Sequence, residues 1–338
     1  MCSILLKDTL ALEENRRYST WMLDGETIQS VAFSGHESFP LRFSWLAKAV
    51  RGVESDPGLF SRPDAIVTLG VGKNMVRSMR HWAGRCGVIE NIHDNNRRGD
   101  YRPTALGSSI FGTNGVDPYL EDPSTVWLIH WKLCSHPKGS PTTWYWIFNE
   151  LRDSSFSVPE VVDELLKLAE CSPTKKKPSR DTIERDVGCF VRSYIASEPN
   201  RRLSQEETYD SPLTEIAVLR REPETNRIVL ERGSWSTLSP NIFAYAVCQY
   251  WERTAPTSDT LAFEHVTYRS GSPGQVFKLT ENACVELLES LDHCTNSKIA
   301  FDSTAGMRQL VRHGRVTDPL RILLRHYRYS RQKENVNV

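Results

Sequence analysis

Residues 64–85 run Asp64-Ala-Ile-Val-Thr-Leu69, then Gly70-Val-Gly72, then Lys73-Asn-Met-Val-Arg77-Ser-Met-Arg80-His-Trp-Ala-Gly-Arg85. The first six residues predict a short apolar helix, the glycines a turn, and 73–85 a second helix. At helical spacing Met75, Val76, Met79 and Trp82 form a stripe to bury, while Lys73, Asn74, Arg77, Arg80 and His81 fall on the opposite face. A turn glycine followed six residues later by an apolar anchor, Gly70 and Val76, is helix-turn-helix spacing. A phosphate loop is excluded, because Val67 stands where the first glycine is needed and Asn74 replaces Ser or Thr. The third glycine of a dinucleotide fingerprint is also missing.

Upstream, Leu46, Ala49, Val50 and Val53 predict a helix over Leu41–Ser55, stopped by Asp56-Pro57-Gly58. Downstream, Val88–Ile92 and Tyr101–Thr104 predict two strands around an Asn/Asp/Gly-rich loop, with Pro103 suited to an edge. Helix, short helix, turn, helix and hairpin in that order predict a winged helix-turn-helix over 31–115, after an arm of 1–30. Arg and Asn on the second helix suit base edges and phosphates. Arg97 and Arg98 at the hairpin tip would form the wing.

A helical domain is expected over 116–202. Asp122-Pro123 caps a helix containing Trp127, Ile129, His130, Trp131 and Leu133, and Trp144–Phe148 forms a second apolar segment. The helices Val158–Cys171 and Ser179–Ile195 flank a basic loop and make a second helix-turn-helix candidate, with a long turn. Lys175, Lys176, Lys177 and Arg180 join the DNA-binding set on that basis. An acidic linker, 203–212, leads to a third domain, 203–338, of α+β type with a basic tail. Its expected elements are a hairpin of Leu213–Arg220 with Arg227–Glu231, a helix from Ser239-Pro240 to Arg253 and extended pieces at 261–268 and 275–279. Helices over Glu281–Leu291 and from Asp318 follow. The expected fold is α+β and helix-rich, with no internal repeat.

The chain has 338 residues, 42 Lys+Arg against 42 Asp+Glu, and 39% hydrophobic content, which excludes disordered and low-complexity classes. No apolar run reaches membrane length and the first residues lack a signal-peptide pattern, so a soluble, cytoplasmic protein without a membrane partner is expected. Eight cysteines without a CxxC predict reduced thiols. His130, Cys134 and His136 come closest to a zinc set, but Trp127 and Trp131 mark that segment as core.

Zero net charge conceals segregation. Residues 73–102 carry seven basic against three acidic side chains, 174–202 eight against four, and 306–333 eight against one. The acidic counterparts are 144–170, with six acidic against two basic, and 203–231, with seven against three. Such blocks suit discrete surfaces for a polyanion.

For chemistry, Asp94 and Asp100 in the hairpin, beside His93, could hold a divalent metal or activate water, although Asp also forms turns. His36-Glu37 is a second acid–base pair, against which stands a Ser34-x-x-Glu37 capping box. Asp117, Glu121 and Asp122 make a third acidic cluster. No serine elbow, metalloprotease helix or kinase signature is present.

Phe33-Ser-Gly-His-Glu-Ser-Phe-Pro-Leu-Arg-Phe-Ser-Trp-Leu46 and Leu69-Gly-Val-Gly-Lys-Asn-Met-Val-Arg77 resemble the opening of a domain-of-unknown-function family encoded within DNA phosphorothioation loci. Asp117-Pro-Tyr-Leu-Glu-Asp122, Trp127-Leu-Ile-His-Trp131, Ser211-Pro-Leu-Thr-Glu215, Gly271-Ser-Pro-Gly-Gln-Val-Phe-Lys278 and Thr304-Ala-Gly-Met-Arg308 agree, so the likeness spans about 31–328. The resemblance implies a component of a bacterial antiphage defence system that binds double-stranded DNA and nicks one strand. Its implied partners are an ATPase, a sulfur-transfer protein and a cysteine desulfurase, and Mg2+ or Mn2+ is the expected cofactor, with no nucleotide or haem. The alternatives are a non-catalytic DNA-binding recruiting or specificity subunit of the same pathway, and a protein-interaction scaffold.

Overall fold

The computed structural model describes residues 31–92, 99–173, 176–196 and 211–336, with side chains as far as Arg328, Ala305 apart. About half of it is helical, and the strands form three small antiparallel sheets, so the fold is α+β.

The opening unit is α1 (Trp45–Ser55), α2 (Ala65–Leu69), α3 (Lys73–Arg85), the hairpin β1 (Ile89–Asn91) with β2 (Tyr101–Pro103), and α4 (Ala105–Phe111). Gly70 ends α2 in the left-handed region, at φ 63, which spares the turn a side-chain clash. Met75, Val76, Met79 and Trp82 are buried, as the spacing requires, and α3 packs on α1. Gly107 lets α4 touch the backbone before β1; a Cβ there would fall 1.9 Å from the Val88 carbonyl oxygen. The first helix starts four residues later than its periodicity suggests, at Trp45, because the chain is still turning over 43–44.

The middle is built on α5 (Pro123–Cys134) and α6 (Thr142–Asn149). Both are apolar on nearly every face and buried accordingly, with Trp127, Trp131, Trp144 and Phe148 fully enclosed. Asp122 caps α5 by accepting the Ser124 N–H at 2.8 Å. Strand β3 (Ser155–Phe156) leads into α7 (Val158–Cys171), which begins with a Ser157/Glu160 capping box. Helix α8 (Arg180–Tyr194) returns along it, capped by Ser179.

The remainder holds β4 (Leu219–Arg221), β5 (Ile228–Leu230), α9 (Pro240–Thr254), β6 (Thr260–Ala262), α10 (Phe263–Tyr268), α11 (Pro273–Val276), α12 (Glu281–Glu289), α13 (Leu291–Thr295), β7 (Ile299–Asp302), β8 (Gln309–Arg312) and α14 (Pro319–Val336). The sheet orders are β3-β5-β4 and β6-β8-β7. Three expected extended stretches differ. Residues 212–216 form a 3-10 turn, started by Pro212 and by Ser211, whose hydroxyl accepts the Leu213 N–H. Of 261–268 only the first two residues are strand, as the end of β6; the chain then coils into α10, burying Phe263 and Val266. Ser272-Pro273 starts α11 where extension was expected over 275–279.

Helix α14 lies along α9. Its Tyr327 hydroxyl bonds Thr125 in α5 at 2.8 Å, and His326 Nε2 meets the Asp122 carboxylate at 2.6 Å. Among the described residues, no helix is long and apolar enough to cross a membrane.

Candidate functional site

The 34–38 loop sits between the start of α3 and the side of α8. His36 is buried and stacked on Trp82, with ring centroids 5.7 Å apart. Its Nδ1 accepts the Ser38 N–H at 3.0 Å, so the ring proton is on Nε2, which donates to Asp186 Oδ1 at 2.7 Å. Asp186 Oδ1 also accepts the Ser34 N–H at 2.7 Å, and Oδ2 accepts the Thr143 hydroxyl at 2.5 Å. One carboxylate, 1% exposed, therefore ties the loop to α8 and α6. Both ring nitrogens of His36 are committed, leaving neither to take a substrate proton.

Ser34, Gly35, Glu37 and Ser38 have φ of 68, 94, 48 and 64. For the three non-glycine residues this costs on the order of 1 kcal/mol each, which the buried anchor offsets. These values also remove the expected capping box: Ser34 and Glu37 lie in left-handed backbone well before α1, whose N-cap, Ser44, makes no side-chain capping bond.

The loop, Asn74, Thr182 and Arg185 enclose a cleft of about 420 Å³. A second hollow of about 510 Å³ shares Ser38 and Arg185 and continues along α8 past Gly188 to Arg192, with Asp181 and Glu184 also on its wall. Lys73, Asn74 and Arg77 are exposed on α3, and Arg80 is half-buried. Glu37 reaches toward Arg77, 3.7 Å between Oε1 and Nη1.

His81 departs from its expected outward face. Its ring packs edge-on to Trp82 and His36, at 5.2 and 5.8 Å, in space that Gly35 leaves free. Its Nε2 is buried without a hydrogen-bond partner, and burial, with Arg85 nearby, pushes its pKa down to about 3.

Asp100 lies at the base of the hairpin, its carbonyl accepting the Ile92 N–H and its carboxylate beside Gly58; it does not line the cleft. Asp94, Arg97, Arg98 and Lys175 lie outside the described residues. Lys176 is exposed, whereas Lys177 donates to the carbonyls of Glu170 and Ser172 at the end of α7. Arg180 is forked between Asp163 at 2.7 Å and Glu184 at 3.0 Å, so its charge is matched within the chain. Asp117 and Asp122 serve structure, Asp117 accepting two backbone N–H groups and the Thr125 hydroxyl.

Among the described residues no group of three or more His, Cys, Asp or Glu side chains is placed to hold a metal. Both Asp186 oxygens are already taken by hydrogen bonds within the chain. Nor do His130, Cys134 and His136 converge. His130 donates from Nε2 to the Val276 carbonyl and accepts from Tyr194, while His136 Nδ1 accepts from the Lys138 and Gly139 amides.

Residues 33–327 match the family model described as "Protein of unknown function (DUF4007)". The chain belongs to the DUF4007 family. The DUF4007 fold has solved relatives: the magnesium ion-bound SspB crystal structure is 28% identical, with a TM-score of 0.79 and 88% of each chain covered. A second SspB crystal structure is 27% identical, with a TM-score of 0.79 and 89% of each chain covered. Comparison with curated protein sequences returns no match.

Asp186, Thr143, Arg185 and Arg192 were not singled out from sequence. Asp186 was findable: with Ile183, Val187 and Phe190 it occupies one helical stripe, a carboxylate on an otherwise apolar face.

Proposed function

We propose that this chain binds duplex DNA and nicks one strand as a component of a DNA phosphorothioation system. The observation that carries the reading is the cleft between α3 and α8. There Asn74 and Arg185 line the cleft with an accessible carboxylate, Glu37, which Arg77 approaches to 3.7 Å, and Arg192 lines the adjoining hollow. The two segments with the strongest family likeness, 33–46 and 69–77, supply the loop and one wall of that cleft. The similarity to SspB supports the same pathway, with the ATPase, sulfur-transfer protein and cysteine desulfurase as partners. On this reading α2 and α3 are a helix-turn-helix, with the β1–β2 hairpin as its wing.

Glu37 is the acid–base group of the cleft. It takes a proton from water, the water oxygen bonds to phosphorus, and the P–O bond to one deoxyribose oxygen breaks. The proton Glu37 took returns through solvent to that oxygen, which leaves as a hydroxyl, and the carboxylate is restored. Arg185 and Asn74 are positioned to stabilise charge that grows on the phosphate oxygens. His36 positions the loop. Asp94 and Asp100 remain acids to be tested in the same assay.

The test is conversion of supercoiled plasmid to open circle, with and without Mg2+ or Mn2+, by wild type, Glu37→Gln, Asp94→Ala and Asp100→Ala. Nicking lost in Glu37→Gln places the chemistry in the cleft. Nicking lost only in an aspartate variant moves it to the hairpin. The second reading, a DNA-binding recruiting subunit, is favoured by the commitment of both His36 nitrogens; it requires DNA binding with no open-circle product from any form.

A further inference from the structure

We infer that the 34–38 loop is an oxyanion site that holds one phosphodiester of a nucleic acid backbone on the backbone N–H groups of Gly35, His36 and Glu37. The inference rests on the DNA reading above and gives it an anchoring point.

Three observations carry it. First, the loop's donors divide in two. The N–H groups of Ser34, Ser38 and Phe39 are satisfied internally, by Asp186, the His36 ring and the His36 carbonyl. Those of Gly35, His36 and Glu37, in the middle, have no acceptor among the described residues. Consecutive unpaired amides are rare in a structured segment. Second, φ changes sign on either side of His36, positive at Gly35 and Glu37, and such alternation turns successive N–H groups toward one concavity. Third, the same three residues line the cleft, and its other wall carries Arg185, Asn74 and Thr182, all suited to phosphate oxygens, together with Asp186.

Among the described residues, Arg185 spends only its Nε–H, on the Asp181 carbonyl at 3.1 Å. Two carboxylates that line the cleft oppose an anion: Glu37, offset in part by its pairing with Arg77, and Asp186, whose oxygens are taken by Ser34, His36 and Thr143. The buried Asp186 anchor keeps the loop in this shape before a ligand arrives, so little ordering is left for binding.

The probes are sodium phosphate, the dinucleotide thymidylyl-thymidine and the nucleoside thymidine, each titrated into the 15N-labelled full chain while amide signals are followed. The Gly35, His36 and Glu37 signals are expected to move together with the dinucleotide and to stay still with thymidine. Arg185→Gln is expected to weaken the dinucleotide at least threefold, and Glu37→Gln to tighten it. Movement with inorganic phosphate but not with the dinucleotide would overturn the diester assignment, and stationary loop amides with all probes would overturn the site. A labelled duplex added to the same samples separates the two readings. Duplex binding with stationary loop amides sinks this inference and leaves the DNA function standing. Dinucleotide binding without duplex binding sinks the DNA function and leaves the site.

Discussion

The Asp186 carboxylate accepts the Nε2–H of His36 at 2.7 Å, joining residues 150 positions apart. It also accepts from Ser34 and Thr143, so three segments meet on one buried negative charge. Removing it would strand the His36 and Ser34 donors. Asp186→Ala is expected to cost about 3–5 kcal/mol. Thr143→Val, which removes one donor and leaves the rest, is expected to cost about 1–3 kcal/mol. Urea unfolding of the three proteins checks this; equal midpoints would show that the anchor is not needed for stability.

Two buried imidazoles set an acid limit. Burial pushes His81 down to about 3 and His130 down to about 4. Unfolded, each titrates near 6.5. Above that pH both states are neutral and neither group affects stability. Below it the unfolded chain gains protons that the folded chain refuses, so stability falls. At pH 5 the loss is about 2 kcal/mol per imidazole. Unfolding free energies at pH 7.5 and pH 5 should differ accordingly, and a flat profile would contradict the burial of these rings.

Helix α14 is fastened to α5 through polar contacts that the sequence does not advertise. Tyr327 donates to Thr125, which donates to Asp117. Tyr327→Phe removes one neutral bond in a packed site, for a loss of about 1 kcal/mol. Faster amide exchange is expected in α14, with little change in α1–α4. Uniform acceleration across the protein would mean that α14 does not open separately.

The α2–turn–α3 unit was legible because its buried stripe and its glycine punctuation are both local signals. The helix pair α7 and α8 was legible for the same reason, with Ser157 and Ser179 as caps. The cleft was half legible. Glu37, Asn74 and Arg77 come from motifs that can be read along the chain, but Asp186 and Thr143 join them only through tertiary contact. His81 turned inward because Gly35, 46 positions earlier in the sequence, leaves a space that helical periodicity does not encode. The 261–268 and 275–279 segments read as extended because short helices bury apolar residues at intervals too few to establish a period.

The account stands most directly on whether the α3–α8 cleft grips the DNA backbone. The deciding measurement is the affinity of a labelled duplex for wild type and for the Arg77→Ala/Arg185→Ala double variant, across a salt series. Each phosphate contact contributes roughly 0.9 to the slope of log affinity against log salt. The double variant should therefore bind at least tenfold more weakly, with a slope shallower by about 2, while its unfolding midpoint stays at the wild-type value. Unchanged affinity and slope in a folded double variant would contradict the account.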